Sequence, residues 1–397
     1  MNVINISPKG LSQVEPVETC LRQAQADKPF QISVERNRNS KWFLIFLLLP
    51  LLACSQKKDD LDKKIGQMIL IGFPGREVDT LLLNDIRAGK AGAIIYFEKN
   101  LPLTNTYEAV KKMNEAFQKA APTPLFICID QEGGKVNRLK TKYGFPKSVT
   151  AAYIGKTKSL DTARYYANTT SATLAGIGFN VNFAPCVDLA VNPENTVIVK
   201  VERSYSRNAD SVALFATEMV KQHRKNKVFT ALKHFPGHGS SKEDTHFGVA
   251  DVTGTWSDAE IKPYRSMMAT GYVDAVMTSH IVNKNLDPKG LPGTLSKRII
   301  DSLLRKKIGF NGVVFSDDMQ MKAIAENFTL EETIKLAINA GVDIMCFSNN
   351  IPGSEDRTVD RVHRIIKKII ETGEIKRERI EESYKRIIEM KKGIGKR

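Results

Sequence analysis

The stretch Gly312-Val313-Val314-Phe315-Ser316-Asp317 runs apolar and then stops on a carboxylate. Phe229-Thr230-Ala231-Leu232-Lys233-His234 stops on a cation and an imidazole, Pro124 to Asp130 on an acid, and Ala275-Val276-Met277-Thr278-Ser279-His280 on another imidazole. Continuous apolar runs of this length mark strands buried on both faces, as in a parallel sheet covered by helices. Four more runs complete the set: Gln67 to Phe73, Ala91 to Phe97, Asn180 to Pro185, and Val342 to Phe347. Amphipathic stretches such as Thr106 to Ala120, Asp161 to Gly176 and Glu331 to Ala340 separate them. A doubly wound open sheet shows the same alternation, but it gathers its functional groups at one switch point. Here Asp130, Lys233, His234, His280 and Asp317 end several different strands on the C-terminal side, which is where a barrel builds its site. The expected fold is α/β, a single-domain (β/α)8 TIM-type barrel.

The chain has 397 residues, with 42% apolar and 26% charged. That composition buries a large core, which excludes a disordered chain or a small disulfide scaffold. The net charge of +15 invites a nucleic-acid reading, but residues 361 to 397 hold 13 Lys and Arg against 6 Glu, nearly half the excess. Apolar residues at helical spacing interleave these charges, so the tail reads as a solvated helix face. No nucleic-acid partner is expected. Attraction to anionic lipid or cell wall is the alternative for the tail. The five cysteines (Cys20, Cys54, Cys128, Cys186, Cys346) form no CxxC pair. Buried thiols are therefore favoured over bridges or a zinc site.

Cys54 stands apart, because it ends the apolar run Trp42 to Ala53 and is preceded by Arg36, Arg38 and Lys41. A basic flank, a short apolar segment and a small residue before the end describe a secretory signal. Leu51-Leu52-Ala53-Cys54 resembles the bacterial lipobox, whose cysteine is lipidated and becomes the mature N-terminus. The expected division is a polar leader over 1–40, a signal peptide with lipobox over 41–54, a tether over 55–62 and the barrel over 63–397. A misplaced start codon would account for the leader. The expected location is the cell envelope, with the chain exported and held to a bacterial membrane by a lipid anchor.

Three of the chain's six histidines fall between His234 and His246. Pro236-Gly237 excludes a helix there, so Lys233 and His234 belong at a strand end, with His238 to His246 on a glycine-hinged loop. Asp244 and His246 are two residues apart, which in an extended segment puts both side chains on one side. A carboxylate beside an imidazole fixes its tautomer and raises its pKa, the requirement for a general acid near neutral pH. Asp317 and Asp318 are adjacent on a strand, so regular alternation lets only one face the barrel mouth and leaves the other to cap a turn or helix. No GxxxxGK[ST] occurs in the sequence, which sets aside a nucleotide-binding reading of these acids. Asp130-Gln131-Glu132-Gly133-Gly134-Lys135-Val136-Asn137-Arg138 places acids and an amide before a tight backbone turn.

Taken together and in order, these segments resemble glycoside hydrolase family 3, in its β-N-acetylglucosaminidase (β-hexosaminidase) branch. That branch reads approximately DQEGGRVxR, NFAPxxD, an R-S-F/Y segment, KHFPGHG…DSH and SDDL/M. The matching stretches here are Asp130 to Arg138, Asn182 to Asp188, Glu202-Arg203-Ser204-Tyr205, Lys233 to Gly239 with Asp244-Thr245-His246, and Ser316 to Met319. Lys135 replaces the usual Arg and Thr245 the usual Ser. The resemblance implies that Asp317 is a nucleophile and that Asp244 with His246 is an acid/base dyad. It also implies that Asp130, Arg203, Lys233 and His234 bind the hydroxyls and N-acetyl region of a terminal sugar, with Lys233 and Arg203 keeping Asp317 ionised. Most retaining glycosidases pair two carboxylates about 5 Å apart; a histidine acid departs from that rule.

The resemblance implies a retaining exo-β-N-acetylglucosaminidase acting on peptidoglycan fragments, with no cofactor and no metal. A phosphorylase variant is the nearest alternative. A metallohydrolase using His234, His238, His280 and Asp317 is a second, and a wall-binding lipoprotein without catalysis a third.

Overall fold

The computed structural model describes residues 60–350 and 358–395. The leader, the signal segment with Cys54, and tether residues 55–59 lie outside the described residues. Eight parallel strands close into a barrel: β1 (Ile69–Gly72), β2 (Ala93–Tyr96), β3 (Phe126–Ile129), β4 (Val181–Asn182), β5 (Phe229–Phe235), β6 (Ala275–Thr278), β7 (Val313–Asp318) and β8 (Ile344–Phe347). Each pairs with the next, and β8 closes on β1 through Leu70 opposite Cys346. The helices Thr106–Ala120, Leu160–Gly176 and Leu330–Ala340 fall where the sequence places them. Their starts are fixed locally: Ser159 accepts from the Thr162 N–H, and Thr329 and Glu332 form a reciprocal capping box.

Side chains two apart on a strand share a face. Phe126, Phe229 and Phe315 meet across the lumen, with ring centroids 6.1 and 6.2 Å from Phe126. Asp130, Lys233 and Asp317 follow these rings at the C-terminal ends of the same strands and line the cleft there, so the aromatic layer is the floor on which the mouth stands. Below that floor, Lys391 at the end of the helix Arg377–Lys391 donates to Gln67 Oε1 (2.6 Å) and the Gly92 carbonyl (2.7 Å). Its Nζ also sits 4.8 Å from the Phe126 ring centroid.

The C-terminal tail is therefore more than a solvated face. Arg379 and Arg386 turn inward to Asp343, which is fully buried and also paired with Arg305 at 2.7 Å. The tether also ends earlier than its composition suggests. A helix spans Leu61–Gln67, where Asp62 pairs with Lys367 at 2.8 Å. Tertiary pairing, invisible in a Lys/Asp-rich run, orders those residues. Cys128, Cys186 and Cys346 are free and buried. Among the described residues no helix is long and apolar enough to cross a membrane.

Candidate active site

An open cleft with a cavity of about 280 Å³ lies at the C-terminal ends of the strands, lined by Asp130, Arg203, Lys233, His234, His246 and Asp317 among others. That volume lies close to the lower end of pockets that take small ligands. Six of the seven residues expected in the site from sequence thus share one cavity. Asp244, the seventh, stands behind His246.

The cationic floor is a closed ion network. Lys233 Nζ donates to Asp130 Oδ1 and approaches Glu132 Oε1, both at 2.6 Å. Arg203 meets Glu132 bidentately, Nε to Oε2 at 2.9 Å and Nη2 to Oε1 at 2.7 Å. Burial pushes the Glu132 carboxyl up, but Arg203 and Lys233 overcome it and hold the group well below the usual range. Gly133 makes the geometry possible: its φ is +104°, and a Cβ there would lie 2.3 Å from the Val149 carbonyl oxygen.

His234 is clamped at both ring nitrogens. Arg203 Nη2 donates to Nε2 at 3.0 Å, so the ring proton sits on Nδ1 and goes to Asp188 Oδ2 at 2.6 Å. Asp188 also accepts the backbone N–H groups of His234 and His238. Burial pushes Asp188 up, and His234 with these hydrogen bonds brings it down to about 2.

At β7 the pairing with β8 shifts register between Phe315 and Asp318. Alternation fails there, so Asp317 and Asp318 both line the cleft, contrary to the expectation that only one could. The capping expectation is met in a different place: Asp318 Oδ1 accepts the N–H groups of Gln320 (3.2 Å) and Ser348 (3.1 Å), and the Ser348 hydroxyl bonds to Oδ2. Burial pushes the Asp318 carboxyl up to about 6. The β5–β6 pairing shifts register too, between Leu232 and Phe235, and the neighbours Lys233 and His234 both reach the cleft.

Asp317 is held below the usual carboxylate range. Burial pushes it up, but the imidazoles of His280, His234 and His246 outweigh that, aided by the Asp318 N–H donating to Oδ1 at 2.8 Å. Lys233 and Arg203, expected from sequence to do this, are occupied by Asp130 and Glu132 instead.

The dyad forms through a turn rather than an extended segment. Asp244 Oδ1 accepts from the His246 backbone N–H (2.8 Å) and pairs with Nδ1 (2.7 Å), while Phe247 N–H closes onto the Asp244 carbonyl at 3.0 Å. An Asx turn brings the side chains together where alternation was invoked. Asp244 raises the imidazole pKa above its usual value, and nearby Asp317 adds to that. Nδ1 is thus taken by Asp244, and His246 itself lines the cleft. The loop is tied to the β7 end by the Ala323 N–H, which donates to the Thr245 carbonyl at 3.3 Å.

The metal set His234, His238, His280 and Asp317 is not assembled. His238 pairs with Ser241 Oγ at 2.6 Å, and burial brings it down to about 4. His280 bonds the Asp318 carbonyl (2.9 Å) and Thr294 Oγ1 (2.9 Å). Among the described residues the donor group close enough for an ion is Cys186, Asp188 and His234, where the short Asp188–His234 hydrogen bond already occupies the space between ligands. Glu132 and Asp188 had no assigned role in the sequence reading. Glu132 shares the parity of Asp130, the one signal that could have found it.

A carboxylate and an imidazole paired to a second carboxylate thus share one cleft above a fixed ion network at a barrel mouth. Its family and relatives make the chain a glycoside hydrolase acting on O-glycosyl bonds. Residues 60–390 match the glycosyl hydrolase family 3 N terminal domain. A β-hexosaminidase of Xylella fastidiosa strain M23 is 32% identical over 285 residues, covering 70% of this chain and 82% of that protein. A β-N-acetylhexosaminidase structure from Beutenbergia cavernae matches with TM-score 0.75 and 27% identity, over 84% of this chain and 98% of the other. A family 3 β-N-acetylglucosaminidase from a Paenibacillus species matches with TM-score 0.78 and 34% identity; 84% of this chain is covered, but only 62% of the Paenibacillus chain. The chain belongs to glycosyl hydrolase family 3.

Proposed function

We propose that this protein is a retaining exo-β-N-acetylglucosaminidase that releases terminal β-linked N-acetylglucosamine. The observation that carries the reading is the shared cleft: a carboxylate held ionised, Asp317, and an imidazole held basic by Asp244. In the first step an Asp317 oxygen bonds to the anomeric carbon while His246 Nε2 gives its proton to the departing glycosidic oxygen. The products are an alcohol and a glycosyl ester on Asp317. In the second, the now neutral His246 takes a proton from water, the water oxygen bonds to the anomeric carbon, and the ester bond breaks to free Asp317. Asp130, Lys233, Arg203 and His234 orient the sugar through polar groups already fixed before it arrives.

The expected export signal and anchor at Cys54 favour peptidoglycan fragments as the source of the sugar. Phosphorolysis is the second reading, because a neutral imidazole does not repel phosphate as a carboxylate base would. Rates on aryl β-glycosides of N-acetylglucosamine, glucose and N-acetylgalactosamine, with and without phosphate, test both. Preference for N-acetylglucosamine with free sugar as product supports hydrolysis, sugar 1-phosphate supports phosphorolysis, and turnover of glucosides alone contradicts the substrate assignment.

A further inference from the structure

The loop bearing the dyad is heavily braced at its root. The His238 N–H donates to Asp188 (2.8 Å), Asn195 Nδ2 donates to the carbonyls of His238 (2.7 Å) and Gly239 (3.2 Å), and Trp256 Nε1 donates to the Pro236 carbonyl (3.1 Å). One more brace is chemically out of place. Glu260 is 1% exposed, and its Oε2 accepts the Gly239 N–H at 2.8 Å. Gly237 turns directly over it, at φ +119°, where a Cβ would lie 2.5 Å from the Glu260 Cβ. Its other oxygen, Oε1, and the hydroxyl of Ser240 are buried and neither makes a well-formed hydrogen bond among the described residues, although Ser240 stands close enough to the carboxyl to pull its pKa down. Burial pushes the carboxyl up to about 7, and Asp188 adds to this.

A buried carboxyl with one oxygen short of a well-formed hydrogen bond is an expensive way to fill space that a leucine or methionine would fill without desolvation. What the carboxyl supplies beyond volume is a directional acceptor. Oε2 accepts the Gly239 N–H whether the group is ionised or neutral, so the brace survives its titration. Gly239 lies five residues before Asp244 on the same loop.

We propose that Glu260 is a positioning residue of the acid/base loop: by fixing the Gly239 peptide it sets where His246 Nε2 meets the leaving oxygen. It touches neither sugar nor dyad. The inference rests on the reading of His246 as acid/base, and it predicts a loss that depends on the leaving group. Misplacing a catalytic group by about 1 Å can cost roughly 100-fold, but only where protonation of the leaving oxygen limits the rate.

The test uses the full chain and three variants, Glu260→Ala, Glu260→Asp and Glu260→Gln, with N,N′-diacetylchitobiose and the 2,4-dinitrophenyl glycoside of N-acetylglucosamine. Glu260→Ala and Glu260→Asp are expected to lose about 10- to 100-fold in kcat on chitobiose. Their phenol burst with the dinitrophenyl glycoside should stay within about threefold of wild type. Glu260→Gln retains an acceptor for Gly239 and gains a donor toward Ser240, and it should restore the chitobiose rate. An equal loss on both substrates, or no rescue by glutamine in a folded variant, overturns the proposal. Should the alanine variant fail to fold, the aspartate and glutamine variants decide it alone. A wild-type chain inert toward both glycosides would instead refute the substrate reading, a distinguishable result.

Discussion

Asp317 and Asp318 share the cleft, yet their surroundings drive their ionisation in opposite directions, one below and one above the usual carboxylate range. Only Asp317 is surrounded by imidazoles, while Asp318 is engaged with Ser348 and Gln320. Asp317→Asn is expected to lower kcat/KM by roughly 10³-fold or more. Asp318→Asn should stay within about tenfold, with a stability change below about 1.5 kcal/mol; steady-state kinetics and thermal melts on both variants check this. The reverse pattern would exchange the assignments. A second residue-scale prediction concerns pH. His246 must be protonated to act as the acid, and Asp244 raises its pKa above the usual 6.5. The alkaline limb of kcat/KM should therefore lie above pH 6.5 in wild type and move to lower pH in Asp244→Ala, because the hydrogen-bonded carboxylate that favours the imidazolium is gone. An unmoved limb would mean that another group titrates there.

At the scale of elements, the ends of β5 and β7 show what a sequence reading can and cannot reach. Eight apolar runs place the strands, because burial on both faces leaves a compositional trace, and the polar ends at Asp130, Lys233, His234, His280 and Asp317 place one rim. The register shifts in β5 and β7 leave none, since they arise from pairing with β6 and β8. Alternation therefore misjudged Asp318. The Asx turn at Asp244 is local and legible in principle, but an extended segment brings the same two side chains together, and spacing alone does not separate the two. The ion network was hardest to foresee, because Glu132 meets Arg203 across 71 positions of sequence. Its weight can be measured. Arg203→Ala leaves a buried Glu132 carboxylate with one cation fewer and should cost about 3–5 kcal/mol in urea unfolding. Lys200→Ala, which breaks an exposed pair with Glu194, should cost less than about 1 kcal/mol. Similar values for the two would show that the network does not hold the site together.

For the whole molecule, the C-terminal helix closes the barrel floor with a buried cation. Burial brings Lys391 from its ordinary 10.5 down to about 7. Between those values the unfolded chain binds a proton that the folded chain lacks, so stability should rise with pH over that window. Lys391→Met removes the group and should flatten the rise; identical pH slopes in the two proteins would show that Lys391 is solvated. Anchoring is tested at the same scale. Cys54→Ala should release the enzyme from membranes into the soluble fraction with catalysis intact, since stable anchoring needs acyl chains. An unchanged membrane fraction would place the anchor elsewhere.

The proposed mechanism requires a covalent bond between the sugar and Asp317, and such a bond can be trapped. The chain is incubated with 5-fluoro-N-acetylglucosaminyl fluoride, whose ring fluorine slows both steps while its good leaving group keeps the first one competent, and is then digested and analysed by mass spectrometry. One added glycosyl group is expected, carried by the peptide containing Asp317 and absent in Asp317→Asn. A label on Asp318 or on any other residue, or turnover of aryl N-acetylglucosaminides with no glycosyl enzyme detectable at any time, would contradict it.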